Sequence, residues 1–434
     1  MSYWIYNILL CLAAFFLIPF YAVKIVFTGK YKKSFGPKWG FIPRKIFEEM
    51  KGSPRIWVHA VSMGEVTAAA PIVSSLRQIY PGACIILSTS TETGQEMARR
   101  LVTDATSYIY YSLDIPAVVR KVMDRVNPDI FVPVETEIWP NFIRACRKRG
   151  TRVVMVNGRI SPRSFKRYSF TKFFWKQILN KLDMVGTISA IDASRLEAIG
   201  VESSKIQVLG NAKYDSLAAG MDNALRSEMA ARLDIPLKTR VFVAGSTHQG
   251  EDSVVLEVYR GLLDQYPDML MIIVPRHPAR GRDVLALAND AGFDDCITMT
   301  EINSGTRRAG QRIIVVDVMG DLFKTYSLAT IVFCGGSLVP RGGQNILEPA
   351  AWGKVVLYGP SMDDFLDEKE QMEMAGIGIP VRDGRNLLNN ALKLMENPDA
   401  LERRGEAGRA IVTSNGGAAL RYAEMIRDCL SQQE

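Results

Sequence analysis

The sequence predicts an α/β protein with two doubly wound domains, and three observations lead to that prediction. Short apolar runs rich in Val, Ile and Phe alternate with longer segments of helical periodicity, which is typical of βαβ units around a parallel sheet. The alternation begins twice, once near Arg55 and again near Arg240. A chain of 434 residues is also too long for one ordinary core.

An uncharged apolar segment precedes both domains, from Tyr3 to Val23 ("YWIYNILLCLAAFFLIPFYAV"). It is long enough to cross a hydrocarbon layer about 30 Å thick, and no cleavage site follows it that would suit a removable signal peptide. The lysines that come next predict that the rest of the chain stays on the cytoplasmic side. Pro19 leaves open a spanning helix or one lying in a single leaflet. We assign residues 1–28 to a membrane anchor and 29–53 to a basic linker.

The first domain is predicted over residues 54–215, because strand-like runs of β-branched residues alternate there with segments of helical apolar spacing. In chain order, the predicted elements are the strand "RIWVHAV", the helix "GEVTAAAPIVSSLRQIY", the strand "ACIILSTS", the helix "TGQEMARRLV", the strand "DIFVPVE", the helix "WPNFIRACRKRG" and the strand "TRVVMVNG". Four strands joined by three helices predict a parallel sheet with helices on its faces.

The second domain is predicted over residues 216–434 from the same alternation, with the junction near Gly210 to Ala230. In chain order, its predicted elements are "RVFVAGS", "SVVLEVYRGLLDQYP", "LMIIVPR", "RDVLALANDAGF", "RIIVVDV", "LATIVFCGG" and "VVLYGP", of which the second and fourth are helices. In such sheets ligands bind beyond the carboxyl ends of the strands. Unusual polar residues, including all three histidines, follow strands in both halves. We therefore expect two strand-end rims that face each other across one cleft.

A glycine-rich stretch, "GGSLVPRGGQNILEP" from Gly335 to Pro349, joins a predicted strand to a predicted helix. Glycines let a backbone approach a ligand closely, and a helix start presents free N–H groups with partial positive charge. The stretch therefore predicts either an anion site or a tight turn with nothing bound.

Several classes of protein are disfavoured by the sequence. It contains no P-loop pattern, no G-x-G-x-x-G after a strand, no G-x-S-x-G elbow and no Asp-x-Asp pair for a metal-bound nucleotide. The six cysteines lack zinc spacing, so we expect reduced thiols. The formal net charge of +7 suits an anionic partner, either nucleic acid or, beside a membrane anchor, anionic lipid. What remains is a two-domain glycosyltransferase in which dipoles and cations replace a metal.

At this point the motifs resemble a known family. "HAVSMGE", "STSTETGQE", "ETEIWPN", "VPRHP" and "GGSLVPRGGQNILEPAAWGKVVLYGP" are similar to the 3-deoxy-D-manno-octulosonic acid (Kdo) transferases of lipopolysaccharide assembly, over nearly the whole chain. The resemblance implies a GT-B fold, CMP-Kdo as donor, and transfer with inversion to the lipid A precursor (lipid IVA). It also implies the inner membrane as location, with the catalytic domains on its cytoplasmic face, and neither a metal cofactor nor a nucleic-acid partner.

The resemblance assigns three catalytic residues. Glu65 corresponds to the general base, and its place at a helix start should favour the charged carboxylate. Glu135 and Lys213 match positions used around the transition state. A carboxylate there can stabilise positive charge on the sugar, and a lysine can stabilise the departing phosphate. Glu65 could instead only stabilise the start of its helix. Glu135 could only support Glu65 or cap the "WPN" helix, and Lys213 could be an ordinary surface lysine.

The resemblance also assigns the CMP site, in which the glycine loop and the following helix start would receive phosphate and ribose. Glu348 suits two vicinal ribose hydroxyls, and Arg276 suits a phosphate or the Kdo carboxylate. The sequence departs from the family pattern at Gln344, where histidine is usual, and at Asp321, where glutamate is usual. The residues carried over are Pro275, Arg276, Met319, Gly320, Asp321, Asn345, Ile346, Leu347 and Glu348.

Two other functions stay open from the residues alone. One is a membrane-associated GT-B transferase that uses a UDP-sugar, and the other is a non-catalytic scaffold or nucleic-acid-binding protein that uses the basic clusters. One cluster, "GRISPRSFKRYSFTKFFWK" from Gly158 to Lys176, interleaves cations with aromatics. That composition predicts contact with the headgroups of an anionic phospholipid surface, or else an ordinary amphipathic helix.

Overall fold

The computed structural model describes residues 3–14, 27 and 32–431. It confirms two α/β units, each built on a parallel sheet. Unit 1 comprises Met1–Ser216 with Asn415–Glu434, and unit 2 comprises Leu217–Ser414.

Unit 1 contains a seven-stranded parallel sheet in the order β3-β2-β1-β4-β5-β6-β7. Its strands are β1 (Arg55–His59), β2 (Cys84–Thr89), β3 (Ser107–Tyr110), β4 (Ile130–Pro133), β5 (Arg152–Gly158), β6 (Met184–Thr187) and β7 (Ile206–Val208). Its helices are α1 (residues 3–14), α2 (Lys32–Lys38), α3 (Arg44–Glu49), α4 (Met63–Ile79), α5 (Glu92–Leu101), α6 (Pro116–Val126), α7 (Pro140–Arg149), α8 (Pro162–Phe170), α9 (Lys172–Leu179), α10 (Ala190–Ile199) and a short 3₁₀ helix (Ser203–Lys205). Helix α11 (Lys213–Gly220) leads out of the unit.

Both faces of the first sheet are buried, as the continuous apolar strands predict. Ile56 and Val58 of β1 pack into one core layer, whereas Trp57 between them packs into the layer on the other side. Successive side chains of a strand point to opposite faces, so one apolar strand supplies both layers. Trp57 is fully buried and meets Phe142 edge-on, with ring centroids 4.9 Å apart.

Unit 2 has a second seven-stranded parallel sheet, in the order β10-β11-β9-β8-β12-β13-β14. Its strands are β8 (Val241–Thr247), β9 (Leu270–Pro275), β10 (Cys296–Thr298), β11 (Ile313–Val315), β12 (Ile331–Cys334), β13 (Val356–Tyr358) and β14 (Gly378–Pro380). Its helices are α12 (Asn223–Arg232), α13 (Asp252–Leu263), a 3₁₀ helix (Pro278–Arg280), α14 (Gly281–Asp290), α15 (Met299–Asn303), α16 (Leu322–Tyr326), α17 (Leu347–Ala351), α18 (Leu366–Met374), α19 (Gly384–Met395) and α20 (Pro398–Ser414).

The structure differs from the predicted domain boundary at the carboxyl terminus. We expected the second domain to run from residue 216 to 434, but the last helix, α21 (Ala418–Ser431), belongs to unit 1. Its side chains, among them Tyr422 and Ile426, join the core layer that contains α4. The Tyr422 hydroxyl donates to the carbonyl of Gly210 at 2.7 Å. The helical spacing of apolar residues predicts where a helix lies in the chain, but it does not predict which sheet the helix packs against.

The predicted membrane anchor falls largely outside the described residues, which omit 1–2, 15–26 and 28. The part that is described, α1, rests on unit 1: the Tyr6 hydroxyl donates to Asp114 at 2.9 Å, and Asn141 donates to Asn7 at 2.6 Å. Over residues 3–14, 27 and 32–431, no helix combines the length and the apolar character needed to cross a bilayer.

Candidate active site

The polar residues singled out in unit 1 follow two neighbouring strands. The strand order reverses between β1 and β4, which are adjacent and each continue into a loop at the carboxyl edge. The loop after β1 leads to Glu65, and the loop after β4 leads to Glu135. Such a reversal opens a crevice in doubly wound sheets, so both carboxylates lie where this fold binds ligands.

Glu65 is held in the first turn of α4 by its own loop. Ser62 caps the helix by accepting the Glu65 N–H, and its hydroxyl donates to Glu65 Oε1 at 2.9 Å. The backbone N–H of Val61 donates to Glu65 Oε2 at 2.6 Å. Only 8% of the Glu65 surface is exposed. The carboxylate therefore has one orientation, which a base that must meet a substrate hydroxyl requires.

The pKa of Glu65 is higher than its place at a helix start would predict. We expected the helix start to favour the ionised carboxylate, but burial, and then the nearby charge of Glu135, raise the pKa of Glu65 to about 7. The bonds from Val61 and Ser62 act in the opposite direction and are outweighed. A pKa near neutrality suits a group that accepts a proton and then releases it.

Glu135 and Lys213 form an ion pair beside Glu65, with Lys213 Nζ 2.8 Å from Glu135 Oε1. A Cβ atom on Gly64 would lie 3.9 Å from the same ammonium, so Lys213 sits against the start of α4. Glu135 adopts φ = +59°, a left-handed conformation that costs a non-glycine residue on the order of 1 kcal/mol or more. The three predicted catalytic residues thus lie together in unit 1.

Two asparagines hold the turn that presents Lys213. Asn157, at φ = +53° near the end of β5, accepts the N–H of Ala212 at 2.9 Å. Asn211 accepts the N–H of Lys213 at 3.0 Å, which starts α11. Sequence reasoning missed both residues, although an Asn that ends a predicted strand is a recognisable turn signal.

A third carboxylate of the cluster, Glu137, was also missed. The indole N–H of Trp139 donates to Glu137 at 2.9 Å. Burial raises the pKa of Glu137, and the charge of Glu135 raises it further. The motif "ETEIWPN" contained the signal, because two carboxylates separated by one residue after a strand can both reach the strand edge.

His59, the histidine of the first half, packs in the core of unit 1 and is not part of the cluster around Glu65. His59 is fully buried, stacks on Tyr111 with centroids 3.7 Å apart, and bonds Ser88 through Nδ1. Burial lowers the pKa of His59 to about 3, so the ring stays neutral.

In unit 2 the predicted nucleotide residues lie at or beyond the carboxyl ends of three strands of the sheet. Met319, Gly320 and Asp321 come after β11, Pro275 ends β9 and Arg276 follows it, and the glycine loop follows β12. His248 follows β8, and the sequence predicts only that it lies near the end of a strand. Burial lowers the pKa of His248, Glu251 opposes that effect, and the charges of Arg341, His277 and Arg276 lower the pKa further. The carboxyl edge of unit 2 therefore concentrates cationic side chains.

Backbone amides of the glycine loop bind a carboxylate of the protein itself. The fully buried carboxylate of Glu251 accepts the N–H groups of Gly336, Ser337 and Leu338 at 2.7, 3.0 and 2.9 Å. Gly336 has φ = +66°, and a Cβ on Gly335 would lie 2.5 Å from the carbonyl oxygen of Ser246. These three amides are already bonded to a carboxylate of the chain itself, so they are not the expected phosphate site.

The second part of the loop carries Glu348, in the first turn of α17. Asn345 donates from Nδ2 to Glu348 at 3.2 Å and accepts the N–H of Leu347 at 3.1 Å. Burial raises the pKa of Glu348 to about 7, although the bond from Asn345 and the charge of Arg276 both lower it. The charge of Arg276 therefore reaches Glu348, whereas Ile346 and Leu347 are buried core residues.

The loop after β11 has a different arrangement from the one expected. Asp321 is paired with Arg232, whose Nη1 lies 3.0 Å from Asp321 Oδ2. Arg232 also donates to Asn303 at 2.6 Å. Met319 is half exposed and Gly320 has φ = +91°, so these residues rather than the Asp321 carboxylate offer a free surface. Within the described ranges no cluster of three or more His, Cys, Asp or Glu could hold a metal ion.

Solved structures share the fold. A UDP-GlcNAc 2-epimerase from Neisseria meningitidis matches 87% of this chain and 100% of its own, with a TM-score of 0.60 and 14% identity. A glycosyltransferase from Rickettsia africae matches 88% of this chain and 99% of its own, with a TM-score of 0.57 and 16% identity. At these identities the likeness shows the fold alone, which is that of the GT-B glycosyltransferases.

The chain also matches a family model and full-length relatives in sequence. A family model described as 3-deoxy-D-manno-octulosonic-acid transferase (kdotransferase) matches residues 33–216. The 3-deoxy-D-manno-octulosonic acid transferase of Chlamydia trachomatis is 28% identical over 407 residues, which cover 93% of this chain and 92% of the relative. That of Haemophilus influenzae is 30% identical over 429 residues, which cover 98% of both chains. With this match over nearly its full length, the chain belongs to the family of Kdo transferases, glycosyltransferases of lipopolysaccharide biosynthesis.

Proposed function

We propose that this Kdo transferase takes Kdo from CMP-Kdo and attaches it to the lipid A precursor, lipid IVA, with inversion at the anomeric carbon. The observation that supports this most is the grouping of Glu65, Glu135 and Lys213 in unit 1, on a chain that matches a Kdo transferase from end to end. Unit 1 then activates the acceptor, and the carboxyl edge of unit 2 holds the donor.

In this proposal Glu65 accepts the proton of the attacking hydroxyl. A bond forms between that oxygen and the anomeric carbon of Kdo, while the bond from this carbon to the phosphate oxygen breaks and its electron pair leaves on CMP. The pKa of about 7 leaves a large fraction of Glu65 ionised at neutral pH. The fixed orientation from Val61 and Ser62 aims the carboxylate at one position.

Glu135 has two parts in the reaction. Its negative charge keeps the pKa of Glu65 high, and it also favours the positive charge that develops on the sugar ring. Lys213 fixes the Glu135 carboxylate with one of its three N–H donors and can offer another to an anion. Lys213 therefore both holds the Glu135 carboxylate in position and supplies a positive charge for the leaving phosphate.

For the donor, we propose that Glu348 accepts the ribose hydroxyls and that Arg276 binds the phosphate or the Kdo carboxylate. The two side chains already interact through their charges. Pro275, Met319, Gly320, Asn345, Ile346 and Leu347 shape the site, and Asp321 acts through its bond to Arg232. In this proposal no metal takes part, because cationic side chains face the leaving group.

We further propose that the protein works on the cytoplasmic face of the inner membrane, attached by its first residues. Apolar side chains of α1 support this, since Trp4, Ile5, Ile8, Leu9 and Leu12 are each more than half exposed. Positions four apart on a helix share a face, so these side chains form an apolar surface suited to acyl chains.

The direct test is to incubate purified protein with CMP-Kdo and lipid IVA and to count the added Kdo groups by mass spectrometry. A mass increase by one or more Kdo units is expected, and it should be absent with the Glu65→Gln variant. Calorimetry with CMP and UMP gives the second criterion. Tight binding of UMP with no binding of CMP, or transfer of a sugar from a UDP-sugar, would overturn the proposal in favour of a UDP-sugar transferase.

A further inference from the structure

One buried carboxylate of unit 2, that of Glu251, has no part in the proposed transfer of Kdo. Glu251 is completely buried and accepts four backbone N–H groups. Its Oε2 accepts from His248 at 2.9 Å and from Gly336 at 2.7 Å, and its Oε1 accepts from Ser337 at 3.0 Å and from Leu338 at 2.9 Å. Both oxygens are therefore fully used by backbone donors.

The position of Glu251 in the fold makes this unusual. It is the N-cap residue of α13, yet its side chain makes no bond to the start of its own helix. It reaches across to the loop that follows β12, and also binds the backbone that follows β8. These two strands are neighbours at the point where the order of the second sheet reverses. One side chain thus joins both walls of the crevice where a doubly wound domain binds its ligand.

Three successive N–H groups that converge on one anion form a nest, which is an arrangement that often binds phosphate. Here the protein supplies the anion, so an incoming phosphate must be bound by side chains instead. Arg276 and Arg341, whose charges act on His248, are cationic groups available on this edge.

We propose that Glu251 is a positioning residue for nucleotide binding: it holds the glycine loop in the one shape that presents Asn345 and Glu348 to the donor. This inference rests on the proposed function, in which the carboxyl edge of unit 2 binds CMP-Kdo. Glu251 itself touches no substrate. Its effect is on the conformation of the loop, and hence on affinity for the nucleotide rather than on proton transfer at Glu65.

The test variant is Glu251→Gln. An amide has one oxygen and one NH₂ group, so in either orientation two of the four backbone donors would face another donor. We expect the affinity for CMP, measured by calorimetry, to fall at least tenfold. The KM for CMP-Kdo should rise by a similar factor, whereas kcat at saturating donor and the KM for the lipid acceptor should change less than threefold.

Two further variants separate positioning from general stability. Asp383→Asn changes another carboxylate of unit 2 that accepts a backbone N–H, at the start of α19, and it should bind CMP like the wild type. Gly336→Ala leaves Glu251 intact but strains the loop at φ = +66°, so it should show the same selective loss of CMP affinity. If Glu251→Gln does not fold, Gly336→Ala carries the test.

The outcomes are distinguishable. Wild-type protein that fails to bind CMP would contradict the proposed function itself. Wild-type protein that binds CMP, together with a folded Glu251→Gln or Gly336→Ala variant of unchanged CMP affinity, would overturn the positioning role alone. Equal losses in Glu251→Gln and Asp383→Asn would also overturn it, because a general weakening of unit 2 would then explain both.

Discussion

At Glu65, local sequence and tertiary environment act in opposite directions. A first-turn glutamate is favoured in its charged form by the helix start. Burial and the Glu135 charge nevertheless raise its pKa, because a desolvated carboxylate beside another negative charge is costly to ionise. The result is a carboxyl group whose charge changes close to neutral pH, as the proposed base requires.

Replacing Glu65 with Gln should lower kcat by a factor of roughly 100 or more, since the amide keeps the shape but cannot accept a proton. CMP affinity should be unchanged. Glu92→Gln is the matched control, because Glu92 is also a first-turn glutamate, in the helix that follows β2, and turnover should survive there. Near-normal turnover of Glu65→Gln in a coupled CMP-release assay would remove Glu65 from the catalytic role.

The pH dependence of kcat follows from the same group. Below a pH of about 7 the Glu65 carboxyl is protonated and cannot act as a base, so kcat at saturating donor should rise about tenfold per pH unit and level off above that value. A wild-type profile that stays flat between about pH 5 and pH 8 would be incompatible with Glu65 as the base.

Glu348 offers a test of the donor site. Glu348→Ala should weaken CMP binding by about 1 to 3 kcal/mol, since the ribose hydroxyls lose a buried acceptor. Calorimetry measures the loss directly. Burial raises the pKa of Glu348 to about 7, so wild-type affinity should also decrease as the pH falls below that value. Unaltered CMP affinity in the variant would mean that the loop holds something else.

At the scale of elements, the basic and aromatic segment forms two short helices of unit 1, α8 and α9. Its aromatic residues divide into two groups. Phe165, Tyr168, Phe174 and Trp175 pack partly against the core. Phe170 and Phe173 are 92% and 70% exposed. The exposed phenylalanines thus lie at the tip between the helices, and contact of this tip with a phospholipid surface stays a prediction.

Neutralising Arg163, Lys166 and Arg167 of α8 together should reduce binding to anionic liposomes by about 1 kcal/mol per charge at low salt. The apparent KM for the lipid acceptor should rise, and CMP-Kdo affinity should stay constant. Liposome flotation and steady-state kinetics are the measurements. A triple variant that binds liposomes and acceptor like the wild type would leave docking to the first residues of the chain.

At the scale of the whole molecule, the chain leaves unit 1 at Ser216 and returns to it at Asn415. The returning segment makes several hydrogen bonds to the rest of unit 1. Asp215, two residues after Lys213, accepts the N–H groups of Gly417 and Ala419 at 2.6 and 3.2 Å. The carboxyl-terminal helix therefore supports the unit that carries Glu65, although it follows unit 2 in sequence.

Removal of residues 415–434 should abolish Kdo transfer while CMP binding by unit 2 survives. The deletion uncovers the apolar face of α4, and buried side chains such as Tyr422 and Ile426 contribute about 1.5 to 3 kcal/mol each. That loss is comparable to the whole stability of a domain. Tyr422→Phe, which removes the hydroxyl that bonds the backbone of Gly210 and of Asn157, should cost about 1 to 3 kcal/mol and keep activity. Wild-type transfer by the truncated protein would contradict the prediction.

The sequence by itself determined the two parallel sheets, because the period of the apolar residues is a local property of the chain. It also determined the strand ends that carry Glu65, Glu135, Arg276 and Glu348, since parallel strands present their carboxyl ends at one edge. Only the tertiary structure decided that α21 completes unit 1, that Lys213 pairs with Glu135, and that Glu251 fills the glycine loop. These contacts join residues 78 to more than 200 positions apart, so no local pattern specifies them. Burial, which likewise depends on the whole fold, then set the pKa values of Glu65 and Glu348.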